Sequence, residues 1–109
     1  MPPVVASLKV NNDIIELNRF AREFISSTVL GMLSVLRGME QPEEQENVKI
    51  VICGQEVTVL ADGVEIGMNQ FTRDFVRNTI KSMLKPLRGV PSDINGIELT
   101  LLLPLTNQQ

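Results

Sequence analysis

Five cations, Arg73, Arg77, Lys81, Lys85 and Arg88, follow one another at spacings of four, four, four and three. On a helix, at about 100° per residue, that spacing gathers them into a stripe of about 120°. Such a stripe can attract an anionic polymer or an acidic protein surface. It holds half of the chain's ten basic residues, and with Asp74 as its one acid, segment 69–90 carries +4 in a chain of net charge −3. Like charges one turn apart weaken an isolated helix by a few tenths of a kcal/mol per pair, and Lys85 and Arg88 near the C-terminal end regain part of that through the helix dipole. No aromatic side chain interleaves with the cations, so base stacking is not suggested. The plainer reading is a solvated helix face. The acidic loop Glu40–Glu46, within the chain or across a dimer, is a further possible partner for the stripe.

Catalytic groups are missing. The 109 residues include no His, Tyr or Trp, which removes the commonest general base and metal ligand. The single Cys53 has no imidazole to activate it and reads as a small packed hydrophobe at a strand end. No calcium-loop spacing, no paired carboxylates and neither of the glycine-rich phosphate-binding patterns occurs. The sequence therefore predicts no catalytic residue, no cofactor and no metal, and a protein that is not an enzyme.

The basic stripe lies within a repeat. Residues 18–39, NRFAREFISSTVLGMLSVLRGM, recur 51 positions later as residues 69–90, NQFTRDFVRNTIKSMLKPLRGV, with identity at ten of 22 positions. Unrelated segments of ordinary composition would share about one or two. The shared residues include Asn18 and Asn69, Phe20 and Phe71, Phe24 and Phe75, Met32 and Met83, and Gly38 and Gly89. The asparagines suit helix N-caps and the glycines helix exits. Phe20, Phe24, Thr28, Met32, Leu33 and Leu36, with their counterparts in the second copy, form an apolar stripe expected to pack on a sheet. Pro86 replaces Val35 and predicts a kink or a 3₁₀ ending around Lys85–Gly89.

The copies differ on their outer faces. Where the second helix has its cations, the first presents Ser26, Ser27, Leu30, Gly31 and Ser34. A small, weakly polar surface of this kind allows close approach by another helix, so these five form a candidate association face; a low-charge solvent face is the alternative.

The flanking segments supply strands. Val4 to Val10 alternates with period two, Asn11-Asn12 suits a two-residue turn, and Asp13 to Leu17 returns. Glu56 to Ala61, Asp62-Gly63 and Val64 to Met68 repeat the pattern, and third strands follow at Val48 to Cys53 and Ile97 to Leu103. Gly54-Gln55 reads as the turn through which the two halves of the sheet meet. The prediction is an α+β fold, a tandem ββαβ repeat (β-β-α-β-β-β-α-β). Its sheet is six-stranded and mainly antiparallel, with two helices on one face and internal pseudo-twofold symmetry. Residues 1–109 are expected to form a single domain of two repeats, about 4–53 and 56–103, because a unit of about fifty residues buries too little surface alone. Residues 104–109 read as a frayed tail.

With 43% hydrophobic and 21% charged residues, the composition is that of a globular protein. No basic leader precedes a long apolar run, and no apolar stretch approaches the roughly 20 residues that span a bilayer. Together with the lone cysteine this predicts a cytoplasmic protein without a membrane partner. The functional expectation is a protein–protein association module, a homodimer or a contact for another protein, through the first helix, the open sheet face, or both. Val5, Ile14, Val51, Leu60 and Leu102 are the apolar residues expected on that open face. Two alternatives stand beside it: sequence-independent nucleic-acid or other polyanion binding through the basic stripe, and a small-ligand pocket between the helices, enclosed between Phe24 and Phe75.

Overall fold

The computed structural model describes residues 5–36 and 47–102. Its elements are β1 (Val5–Val10), β2 (Asp13–Ile15), α1 (Arg19–Leu33), β3 (Asn47–Cys53), β4 (Glu56–Ala61), β5 (Val64–Glu65), α2 (Gln70–Leu84) and β6 (Gly96–Leu102). This is the α+β order the sequence predicts. The expectations for Gly38, the acidic loop and the 104–109 tail lie outside the described residues.

Local chemistry accounts for the turns. Asn11 and Asn12 take φ of 53° and 71°, and Asp62 and Gly63 take 50° and 85°. Two successive positive φ values are what a type I′ hairpin turn requires, and its twist matches that of the strands it joins. Gly54 takes φ of 61° in the β3–β4 connection.

All five strand pairings are antiparallel, in the order β2-β1-β6-β3-β4-β5. The Gly54-Gln55 turn joins β3 to β4 as expected, but the centre of the sheet is the β3–β6 pair, and β6 lies between β1 and β3. These two strands have neighbours on both sides, so their backbone groups are paired along both edges. They also supply Ile50, Ile52, Leu99 and Leu101, which are at most 1% exposed. The short β2 and β5 occupy the edges and end before the Leu17 and Met68 boundaries that alternation suggests.

Both helices cover one face. Each begins at its asparagine: Asn18 Oδ1 accepts from Ala21 N at 2.7 Å, and Asn69 Oδ1 accepts from Thr72 N at 2.8 Å. Replacing either asparagine with alanine is expected to lower stability by about 1 kcal/mol, and with glycine by only a few tenths, as read from denaturant midpoints at constant slope. Both helices end in a tight turn, with Leu36 N donating to Leu33 O and Leu87 N to Leu84 O, each at 3.0 Å. α1 ends this way without a proline, so Pro86 is not the cause of the ending. Gly89, at φ 89°, lies in the loop that follows the turn and does not close the helix itself.

The helices seat on the sheet through Ala21, Ile25, Val29 and Leu33 in α1 and through Val76, Ile80 and Leu84 in α2. These lines are one residue away from the expected Phe20–Phe24–Thr28–Met32 stripe and its counterpart. Each helix is therefore rotated by about 100° from that expectation. Leu33, Leu36 and Leu84 remain in the core, whereas all four phenylalanines lie outside it.

Candidate functional site

The rotation puts the chain's four phenylalanines on the outer side of the helical layer. Phe20 and Phe71 are 74% and 73% exposed, Phe24 and Phe75 51% and 57%. Phe20 and Phe24, one turn apart, stack with ring centroids 5.9 Å apart and an interplanar angle of 18°. Phe71 and Phe75 meet edge to face at 6.0 Å and 62°. At about 200 Å² per phenylalanine, the four leave about 500 Å² of aromatic surface in water. At about 25 cal/mol per Å², burying that surface would be worth of order 10 kcal/mol before the costs of association.

Between the C-terminal end of α1 and the N-terminal half of α2 runs an open groove of about 370 Å³. Met32, Val35 and Leu36 form one wall, and Phe71, Thr72, Phe75, Val76 and Thr79 the other. Phe24 is not among the lining residues, so this groove is not the pocket expected between Phe24 and Phe75. Val35 is 81% exposed and carries the apolar surface from one helix to the other.

Apart from the exposed Arg19–Glu23 ion pair at 3.2 Å, the same outer surface is poor in charge. Ser27, Gly31 and Ser34 are exposed on α1, as are Asn78 and Ser82 on α2. Aromatic enrichment with charge depletion is the composition that marks the buried centre of protein interfaces. Of the five residues expected to form an association face on α1, Ser27, Gly31 and Ser34 share the exposed surface, Leu30 is half-buried, and Ser26 is buried at 6% exposure. Ser26 is therefore removed from the candidate face: its position turns toward the sheet.

Arg77, the counterpart of Ser26 in the repeat, also turns inward. Its guanidinium pairs with Asp74 at 3.0 Å and donates to Gln55 O at 3.4 Å, and its side chain is 15% exposed. The basic line thus flanks the core instead of standing opposite it, and its second member is held against the β3–β4 turn. Arg73 and Lys81 are half-buried, and Lys85 and Arg88 are exposed. On α1, Arg22 donates to Leu17 O at 3.2 Å.

The open face of the sheet differs in character. Val5, Ile14 and Leu102 are exposed there, and Val51 and Leu60 half-buried. Charges divide these residues: Lys49 Nζ lies 2.9 Å from Glu98 Oε2. That hydrogen bond and the attraction of Lys49, aided by Lys9, hold the Glu98 carboxyl below its ordinary range. Cys53 is exposed on this side, contrary to the packed position expected for it. A concavity of about 460 Å³ at the end of this face is lined by Lys9, Asn11, Cys53, Asn95 and Glu98 among others. Two of its polar groups already serve the fold, since Asn95 N donates to Asn11 Oδ1 at 2.7 Å.

Among the described residues, no three His, Cys, Asp or Glu side chains converge where a metal ion could sit. No described helix is long and apolar enough to cross a membrane. No family model, curated protein or solved structure matches the chain. The aromatic helical layer is thus the feature of this molecule that points most directly to a role.

Proposed function

We propose that the protein is a non-enzymatic association module whose contact surface is the outer side of the helical layer. The observation that carries this reading is the exposure of all four phenylalanines, paired on two helices beside an apolar groove, on a surface poor in charge. Apolar patches of several hundred Å² on soluble proteins commonly mark interaction sites. The open sheet face, divided by Lys9, Lys49 and Glu98, has less of this character. Polyanion binding has less support, because the engagement of Arg77 interrupts the row of cations.

The test is a photo-crosslinking amino acid placed singly at Phe24, Phe75 or Thr58 in cells producing the protein. Positions 24 and 75 are expected to give crosslinked protein species, and position 58, on the open sheet face, none. Crosslinks from position 58 alone, or crosslinks to nucleic acid, would overturn the reading.

We further infer that the fold is a fused pair of ββαβ units related by a pseudo-twofold axis beside the Ile50–Leu99 pair, in a single domain. The strand registers support this. Shifting the third strand by 49 residues, the helix offset of 51 less the shorter second loop, turns the pairing Val48↔Leu101 into Ile97↔Ile52, which is also present. Shifting the hairpins by 51 turns Val10↔Asp13 into Ala61↔Val64, again a pairing of the sheet. In this arrangement each third strand crosses to the opposite hairpin, as expected if an ancestral unit associated as a strand-sharing pair before fusion.

A further inference from the structure

The geometry points to a second copy of this chain as the partner of the helical layer, with the Phe20–Phe24 pair of each copy seated in the groove of the other. This rests on the association reading above and adds the identity of the partner.

Area is the first support. The four phenylalanines together with Val35 expose about 600 Å² per copy, against about 800 Å² per partner in a standard stable interface. The exposed Ser27, Gly31, Asn78 and Ser82 surround them and can supply the remainder. A layer-to-layer contact therefore reaches the size that a specific dimer needs.

Self-complementarity is the second. In a twofold contact, whatever residue i touches in the partner touches i in return, so one face must hold both a projection and a recess. Phe71 and Phe75 already form a wall of the groove, with Val35 and Met32 across from them. Phe20 and Phe24 do not line that groove; they stack on one another and are about as exposed as Phe71 and Phe75. A twofold operation that brings one copy's Phe20–Phe24 pair to the other's groove makes the same contact twice.

Charge is the third. A face charged with one sign that meets a copy of itself brings like charges together. The centre of the outer surface avoids this, because Phe20, Phe24, Ser27, Gly31, Phe71, Phe75, Asn78 and Ser82 are all neutral, while the exposed charges at its border are the Arg19–Glu23 pair, 3.2 Å apart, and Lys85 just beyond the end of α2. The chain's net charge of −3 is carried elsewhere.

Sedimentation velocity over a dilution series tests the inference on the full chain. The variants are Phe20→Ser with Phe24→Ser, Phe71→Ser with Phe75→Ser, and Val5→Ser with Ile14→Ser as the sheet-face control. Far-UV circular dichroism and thermal melting establish that each folds, as expected for changes at exposed positions. The parent and the control are expected to sediment as dimers, and both phenylalanine variants to lose dimer affinity by about 30-fold or more. A parent that stays monomeric throughout overturns the second copy as partner, while crosslinks from positions 24 and 75 to proteins of other mass would still uphold the association reading. A dimer that survives loss of Phe20 and Phe24 overturns the inference. A dimer lost only in the sheet-face control overturns both.

Discussion

Ile80→Ala is expected to destabilise the protein by about 3 to 4 kcal/mol, whereas Phe71→Ala should change stability by no more than about 0.5 kcal/mol. By side-chain size alone the order would be reversed, since truncating a core phenylalanine costs about 3 to 5 kcal/mol. Ile80 is fully buried on the line that seats α2 against the sheet, among side chains of strands held by hydrogen bonds on either side. A void there cannot close cheaply, because moving a strand would disturb two ladders. Phe71 is 73% exposed, and its loss leaves no cavity. Chemical denaturation at protein concentrations below any self-association separates the folding term from a contact between copies. A large loss for Phe71→Ala and a small one for Ile80→Ala would mean that α2 sits about 100° away from the orientation described.

That rotation is where the sequence was least legible. Phe20–Phe24–Thr28–Met32 and Ala21–Ile25–Val29–Leu33 both have helical spacing, and they lie on adjacent strips of one cylinder, one residue apart. Identity between the repeats favours the first line, since the phenylalanines are invariant while Ile25 and Val29 become Val76 and Ile80. Branched aliphatic residues exchange readily for one another where neighbouring side chains share the volume, so the inexact match was the mark of the core. The invariant aromatics mark what two outer faces have in common. A similar ambiguity hid Ser26 and Arg77, which differ in chemistry but occupy equivalent inward positions. The strands, the Asn11-Asn12 and Asp62-Gly63 turns and the asparagine caps were legible because each depends on residues within a few positions of one another. Strand order was not, because the insertion of β6 between β1 and β3 joins segments that nothing local connects.

Those long-range junctions depend on turn residues whose side chains do more than permit positive φ, and Asn11→Ala is expected to cost about 3 kcal/mol. Asn11 Nδ2 donates to Asp93 O at 2.8 Å, while its Oδ1 accepts from Asn95 N at 2.7 Å and Gly96 N at 3.0 Å. Its backbone N–H also donates to Gly96 O at 2.8 Å, so the first hairpin grips the start of β6 through side chain and main chain together. The second hairpin grips β3 in a parallel way: Asp62 Oδ1 accepts from Asn47 N, and Asp62 N donates to Asn47 O, each at 2.8 Å. Each turn thereby holds a strand that reaches it from the other half of the chain and fixes that strand's register where pairing begins. Alanine at position 11 removes three side-chain hydrogen bonds and must also hold φ at 53°, a left-handed conformation that costs an ordinary residue about 1 kcal/mol. Glycine removes the same bonds without that conformational penalty, so Asn11→Gly should cost about 2 kcal/mol. Aspartate can keep the two acceptor bonds, as Asp62 keeps its own, and loses the donor to Asp93 O; it should cost about 1 kcal/mol. The order Asp, Gly, Ala in denaturant midpoints separates hydrogen bonding from backbone strain. Equal losses for glycine and alanine would remove the strain term, and a neutral alanine would remove the grip on β6 altogether.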